Sequence, residues 1–258
     1  GSHKDSVGGN MKYLILTVLC AMVFSANVFA NTEECYHPAS GNPETSLLED
    51  ARYLRVECVR KLITQEWFKD YYNINAQDNE KKSALSLVSD FGNPLTNESS
   101  ESYKERQNRA LEIGKILVEH GAKIENKDIY GDTPLTLAAF RVPELAKYLL
   151  TKGANARAAN KFGDTALHHT TDLELIEDLI KHGANVNALD WGGGSALRNY
   201  TNYAVNLEAS SPNADISKYI KAMEILLRNG ANINAGKKTP LGEAVRLSKI
   251  YNVSADSF

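Results

Sequence analysis

The chain has 258 residues, 43% of them hydrophobic and 24% charged, with 29 Lys and Arg against 32 Asp and Glu for a net charge of −3. It is long enough to bury a sizeable core. The near balance of charge leaves no basic excess for a phosphate backbone or an anionic membrane surface, so neither nucleic acid nor a membrane is an expected partner.

Residues 1–10 carry no fold signal: Gly-Ser-His at the start reads as a tag remnant, and a polar lead-in follows. Residues 11–30, "MKYLILTVLCAMVFSANVFA", have one basic residue, a short apolar core and a small residue at Ala30. That pattern predicts a signal peptide cleaved before Asn31, because the apolar core falls short of the roughly 18–20 residues that a membrane helix needs. The mature chain is therefore expected in a bacterial periplasm. If Cys20 leaves with that segment, Cys35 and Cys58 remain, and an even pair in an oxidising compartment predicts one disulfide. Closing a loop of about 24 residues would stabilise the fold by roughly 3 kcal/mol in the chain-entropy treatment.

After the leader at residues 31–46, two phrases recur. "GDTPL" at Gly131 returns as "GDTAL" at Gly163 and "GGSAL" at Gly193, with "KKSAL" at Lys81 and "KKTPL" at Lys237. "HGAKIE" at Gly121 returns as "KGANAR" at Gly153, "HGANVN" at Gly183 and "NGANIN" at Gly230, with a degraded "YYNINA" at Tyr71. Twelve residues separate the glycine of the second phrase from the Thr or Ser of the first in three copies. Between them lie stretches such as "ELAKYLLTKG" and "LELIEDLIKHG", apolar at i, i+3 and i+4, which predict helices with one buried face that stop at glycine.

The period near 30–33 residues, with Thr-Pro-Leu and Gly-Ala-Asn in fixed register, resembles the ankyrin repeat. The resemblance runs from about Leu47 to Ser248 and implies an all-α solenoid of five to six helix-turn-helix units with short β-hairpin fingers, spanning residues 47–258. Expected units are 47–71, 83–120, 133–152, 165–182 and 195–229, with a lone helix over 239–249 closing the stack. Residues 91–107 and 200–215 are rich in Gly, Pro, Asn and Ser and read as loops between the helices of their units. Whether they bind a partner or are tolerated insertions stays open at this stage. A Cys35–Cys58 bond would tie the leader across the open end of the stack.

Motifs for catalysis are missing. Gly192–Gly194 lacks the Lys-Ser/Thr of a phosphate loop, and no Gly-x-Ser-x-Gly elbow occurs. Neighbouring His168 and His169 would point about 100° apart on a helix, so they cannot chelate one metal from one face. By the resemblance, His168 holds neighbouring backbone, while Thr136, Arg198, Ser86 and Gly242 stand at the same position elsewhere. Glu174, Glu177 and Asp178 read as a solvated helix face. An enzyme is not expected, nor a cofactor or metal.

Members of the family bind proteins through finger tips and inner helices. The tip positions here are Asn79-Glu80, Ile129-Tyr130, Lys161-Phe162 and Trp191-Gly192. Ile129, Tyr130, Lys161, Phe162 and Trp191 are the expected partner-binding residues, since exposed aromatics dominate binding hot spots. Trp191 stands one position earlier than Tyr130 and Phe162 and is expected to point elsewhere. The expected function is a non-catalytic periplasmic protein-binding scaffold, monomeric on its own. An immunity protein that neutralises a toxin or effector is the leading case; an envelope or oxidative-stress helper and a secreted effector for host proteins are the alternatives.

Overall fold

A computed structural model describes residue 35 and residues 43–65, 68, 73–91, 99–211 and 214–235. The expected signal peptide, most of the leader, Tyr71 and the closing helix at 239–249 lie outside the described residues. The chain divides into two compact units, Gly1–Gly41 and Asn42–Phe258, and the architecture below is that of the second.

Ten helices form five consecutive pairs among the described residues. They are α1 (Pro43–Arg52) and α2 (Val56–Ile63), α3 (Ala84–Ser89) and α4 (Ser100–Glu119), α5 (Pro134–Arg141) and α6 (Pro143–Thr151), α7 (Ala166–His169) and α8 (Leu173–Lys181), and α9 (Ala196–Ser210) and α10 (Ser217–Arg228). The first members pack in the order α1, α3, α5, α7, α9, and the second members in the order α2, α4, α6, α8, α10. The result is an all-α, two-layer stack. Its seam is apolar, with Leu85, Ile113, Leu117, Leu135, Leu145, Leu149, Leu167, Leu175 and Leu179 fully buried. No single pair covers its own apolar face, so each depends on its neighbours.

The recurring phrases mark the ends of the helices. Ser83, Thr133 and Ser195 each accept a hydrogen bond at the side-chain oxygen from the backbone N–H three residues on, at 3.3 Å. Such a cap satisfies a donor that the first turn leaves orphaned. Thr133 adds the reciprocal half, its N–H donating to Thr136 Oγ1 at 2.7 Å. Glycines 121, 153, 183 and 230 take positive φ of 84–93°. After each, the alanine N–H donates back to the fifth carbonyl upstream, as from Ala154 to Leu149 at 3.0 Å. This is the helix stop that the Gly-Ala pairs announced.

The outer layer is also tied by charge. Lys147 on α6 meets Glu144 at 2.9 Å, Glu174 at 2.6 Å and Asp172 at 3.3 Å, the last two belonging to the next pair. Burial alone would lower its pKa, but the bonds to Glu174 and Glu144 and the charge of Asp172 outweigh it and hold the ammonium above its ordinary range.

Parts of the two expected loops are helical: residues 100–107 open α4, capped by Ser99, and residues 200–210 continue α9, while 92–98 and 212–213 lie outside the described residues. In α4 the Tyr103 hydroxyl and the Gln107 amide both donate to the Arg141 carbonyl, at 3.3 and 2.8 Å. They serve a carbonyl that the end of α5 leaves without a helical partner. In α9, Leu197, Tyr200, Thr201 and Ala204 form one buried stripe. The polar residues that suggested loops occupy the other face.

Cys58 is buried on α2, and both Cys35 and Cys58 are disulfide-bonded.

Candidate partner-binding site

Between successive helix pairs the chain makes a finger. Its turn is built on an Asx residue: Asp78, Asp128, Asn160 and Asp190 each accept backbone N–H bonds at Oδ1, from residues two and four positions on in the first three fingers. Single antiparallel bridges close the fingers at Gln77–Ser83, Ala159–Thr165 and Leu189–Ser195. The expected β-hairpins are thus as short as a hairpin can be. Gly131, Gly163 and Gly193 sit at φ of 84°, 81° and 73°. A side chain on Gly163 would also collide with the next finger, 2.9 Å from the Leu189 carbonyl.

Lys81 holds the same place in the first finger at φ 57°. A β-carbon there is strained, and replacement by glycine relieves it. Lys81→Gly is expected to stabilise the protein by about 1 kcal/mol, read as a raised urea midpoint.

The fingers are bonded tip to tip. Ile129 N–H donates to the Glu80 carbonyl at 2.9 Å, Lys161 to Tyr130 at 2.9 Å, and Trp191 to Phe162 at 2.7 Å. This run fixes the spacing of the side chains it carries. The Tyr130 and Phe162 rings lie 6.5 Å apart, and those of Phe162 and Trp191 6.3 Å. All three are open to solvent, at 46%, 42% and 83% exposure.

The five expected residues therefore fall together on three adjoining fingers, with Lys161 exposed and Ile129 partly buried. One expectation needs correction. Trp191 does not point elsewhere; its ring meets Phe162 and extends the same row. It stands one backbone position earlier, but a large indole on a tip bonded to the previous one reaches back across the gap. Leu189, 45% exposed beside Trp191, was not anticipated. Nor were Asp132 and Asp164, two positions beyond the rings, whose Gly-Asp-Thr setting reads as turn chemistry.

His168 lies beneath the fingers, buried. Thr165 N–H donates to Nδ1 at 3.1 Å, and Nε2 faces the Gly194 carbonyl at 3.3 Å, an arrangement that suits a proton on Nε2. The imidazole thus joins two repeats and is spent on structure. Burial pushes its pKa down, against the Gly194 bond, which raises it. Because the folded value lies below the unfolded one, this contribution is complete above about pH 6.5 and fades as pH falls below it. His168→Thr, which restores the Thr136 arrangement, should cost stability at pH 7.5 and less at pH 5. Urea unfolding of both proteins at the two pH values checks the narrowing.

Comparison with known proteins agrees with this geometry. Residues 105–199 match the family described as ankyrin repeats, three copies. These are ankyrin repeats. Neurogenic locus notch homolog protein 1 of Danio rerio is 28% identical over 214 residues, 67% of this chain and 8% of that protein. A protein of Acanthamoeba polyphaga mimivirus named for its ankyrin repeats is 33% identical over 133 residues, 48% of this chain and 16% of its own. Protein phosphatase 1 regulatory subunit 27 of Mus musculus is 46% identical over 55 residues, 21% of this chain and 36% of its own. The chain therefore spans well under half of each. The matched span of the family includes Tyr130, Phe162 and Trp191.

Proposed function

We propose that the ankyrin stack is a non-catalytic scaffold that grips one protein partner through Tyr130, Phe162 and Trp191, with Ile129 and Lys161 alongside. The observation that carries this reading is the row itself: three aromatic rings, each meeting the next, held on a bonded run of finger tips, and left in solvent. Rigid, exposed aromatic groups supply large contact area at little ordering cost on binding. The likeness to a protein named as a phosphatase regulatory subunit supports a protein partner. The pairing of His168 with backbone argues against using it in chemistry.

The compartment in this proposal is the periplasm, entered through residues 11–30. Disulfide-bonded Cys35 and Cys58 suit an oxidising compartment, and their expected pairing with each other would staple the leader to α2. Within it, an immunity role fits best: a rigid array covers the active site of a delivered toxin and releases it slowly. Intact mass of natively exported protein should show a chain starting at Asn31 with no alkylatable thiol. Capture from cell envelopes with a photo-crosslinker at position 189, exposed and two residues from Trp191, should then yield one partner in equal amount. A free pair of thiols would overturn the compartment. Absence of any crosslink that Trp191 mutation removes would overturn the site.

A further inference from the structure

The aromatic row has a second, acidic row beside it. Asp132 follows Tyr130 by two positions, and Asp164 follows Phe162 by two. Asp132 Oδ1 accepts from the Asn160 amide at 3.0 Å, so the carboxylate reaches across to the next finger. Burial raises its pKa; the Asn160 bond and His169 pull the other way, and the charges of Asp128 and Asp164 add to the rise. Among the described residues no basic side chain forms an ion pair with Asp132 or Asp164. Asp128, 4% exposed, sits in the same group with its Oδ2 buried and without a hydrogen-bond partner. At the same place in the other two fingers stand Lys82 and Gly194, and two other carboxylates of the first repeat are paired, Asp78 with Arg52 and Asp90 with Lys82 and Arg141. Of the basic residues on these fingers, Lys161 is exposed, Lys127 is turned onto the Ala159 carbonyl at 3.4 Å, and Arg198 donates to the Gly193 carbonyl at 3.3 Å.

Resting on the finger-tip reading above, we infer that the surface takes a basic segment of the partner, with lysine or arginine side chains laid across the Tyr130 and Phe162 rings and their charged ends on Asp132 and Asp164. Two residues of extended chain span at most about 7 Å, comparable to the reach of such a side chain. The apolar stem covers the ring, the cation meets its π face, and the head pairs with the carboxylate beyond. Unneutralised carboxylates beside exposed rings suit this occupant and repel an acidic one.

The test uses the full oxidised chain and a phage-displayed library of random peptides as probe. Selected peptides should carry lysine or arginine at a recurring spacing. Synthetic copies should bind at least about tenfold more weakly to the Asp132→Asn/Asp164→Asn protein, whose melting should stay near the parent's because asparagine keeps the Asn160 bond. Affinity should also fall as salt rises from 50 to 300 mM, since partly exposed charge pairs are screened. No enrichment, peptides without basic residues, or equal binding by the double variant would overturn the inference. Peptides that lose binding with Trp191→Ala and not with the aspartate variant defeat the acidic row alone; peptides indifferent to both defeat the finger site as well.

Discussion

Trp191→Ala is expected to weaken partner binding at least about tenfold, and Tyr130→Ala or Phe162→Ala to follow with smaller losses. Aromatic side chains at the centre of an interface typically cost about 2 kcal/mol or more on truncation, and about 1.4 kcal/mol is a factor of ten. Trp191 leads because it leaves the most area in solvent for a partner to cover, 83% of its surface. Phe162 lies between the other two rings, so its loss also unsettles theirs. Stability should change by no more than about 1 kcal/mol, the scale of the ring contacts themselves. Glu177→Ala, on the exposed face of α8, is the control. Lys147 is unsuitable for that purpose, because its charge network joins α6 to the next pair. Calorimetry of each variant with the captured partner decides the matter. Parent-like binding by all three tip variants, with a loss in Glu177→Ala, would move the interface to the outer helices.

The largest stability effect is expected inside α9. Tyr200 is fully buried, and its hydroxyl donates to the Leu167 carbonyl of α7 at 2.7 Å. Desolvation pushes its pKa far up, so it stays neutral at any working pH. Tyr200→Ala removes the ring and strands that carbonyl, and should cost about 3–5 kcal/mol. For a chain of this size that lowers the melting temperature by roughly 10 °C. Tyr200→Phe keeps the packing and loses the bond, for about 1 kcal/mol. Thermal melts followed by circular dichroism separate the two. A melt for Tyr200→Ala within about 2 °C of the parent would make 200–210 the dispensable insertion that its composition suggests.

Most of the fold was legible in the residues, because its signals are local. A Ser or Thr caps the helix it precedes, a glycine ends the helix it follows, and an i, i+3, i+4 stripe shows which face is covered. Those rules need no knowledge of distant contacts, and they placed five helix pairs and the fingers between them. The finger tips were legible too: Ile129, Tyr130, Lys161, Phe162 and Trp191 stand at fixed offsets from an Asx turn.

Tertiary structure decided what local chemistry left balanced. Residues 100–107 and 200–210 are polar enough for loops and regular enough for helices. The choice fell to helix because Tyr103 and Gln107 meet the end of α5, and Tyr200 meets α7, contacts 33 to 38 residues away in sequence. The direction of Trp191 was settled in the same way, by the contact of its ring with that of Phe162 on the previous finger, 6.3 Å between centroids. So was the state of Asp132 and Asp164. Sequence places them in a turn, but only stacking the fingers brings the two carboxylates near one another and, among the described residues, leaves them without a Lys or Arg ion pair. A repeat writes its own unit into the sequence; what one unit does to the next depends on distances that exist only once they are stacked.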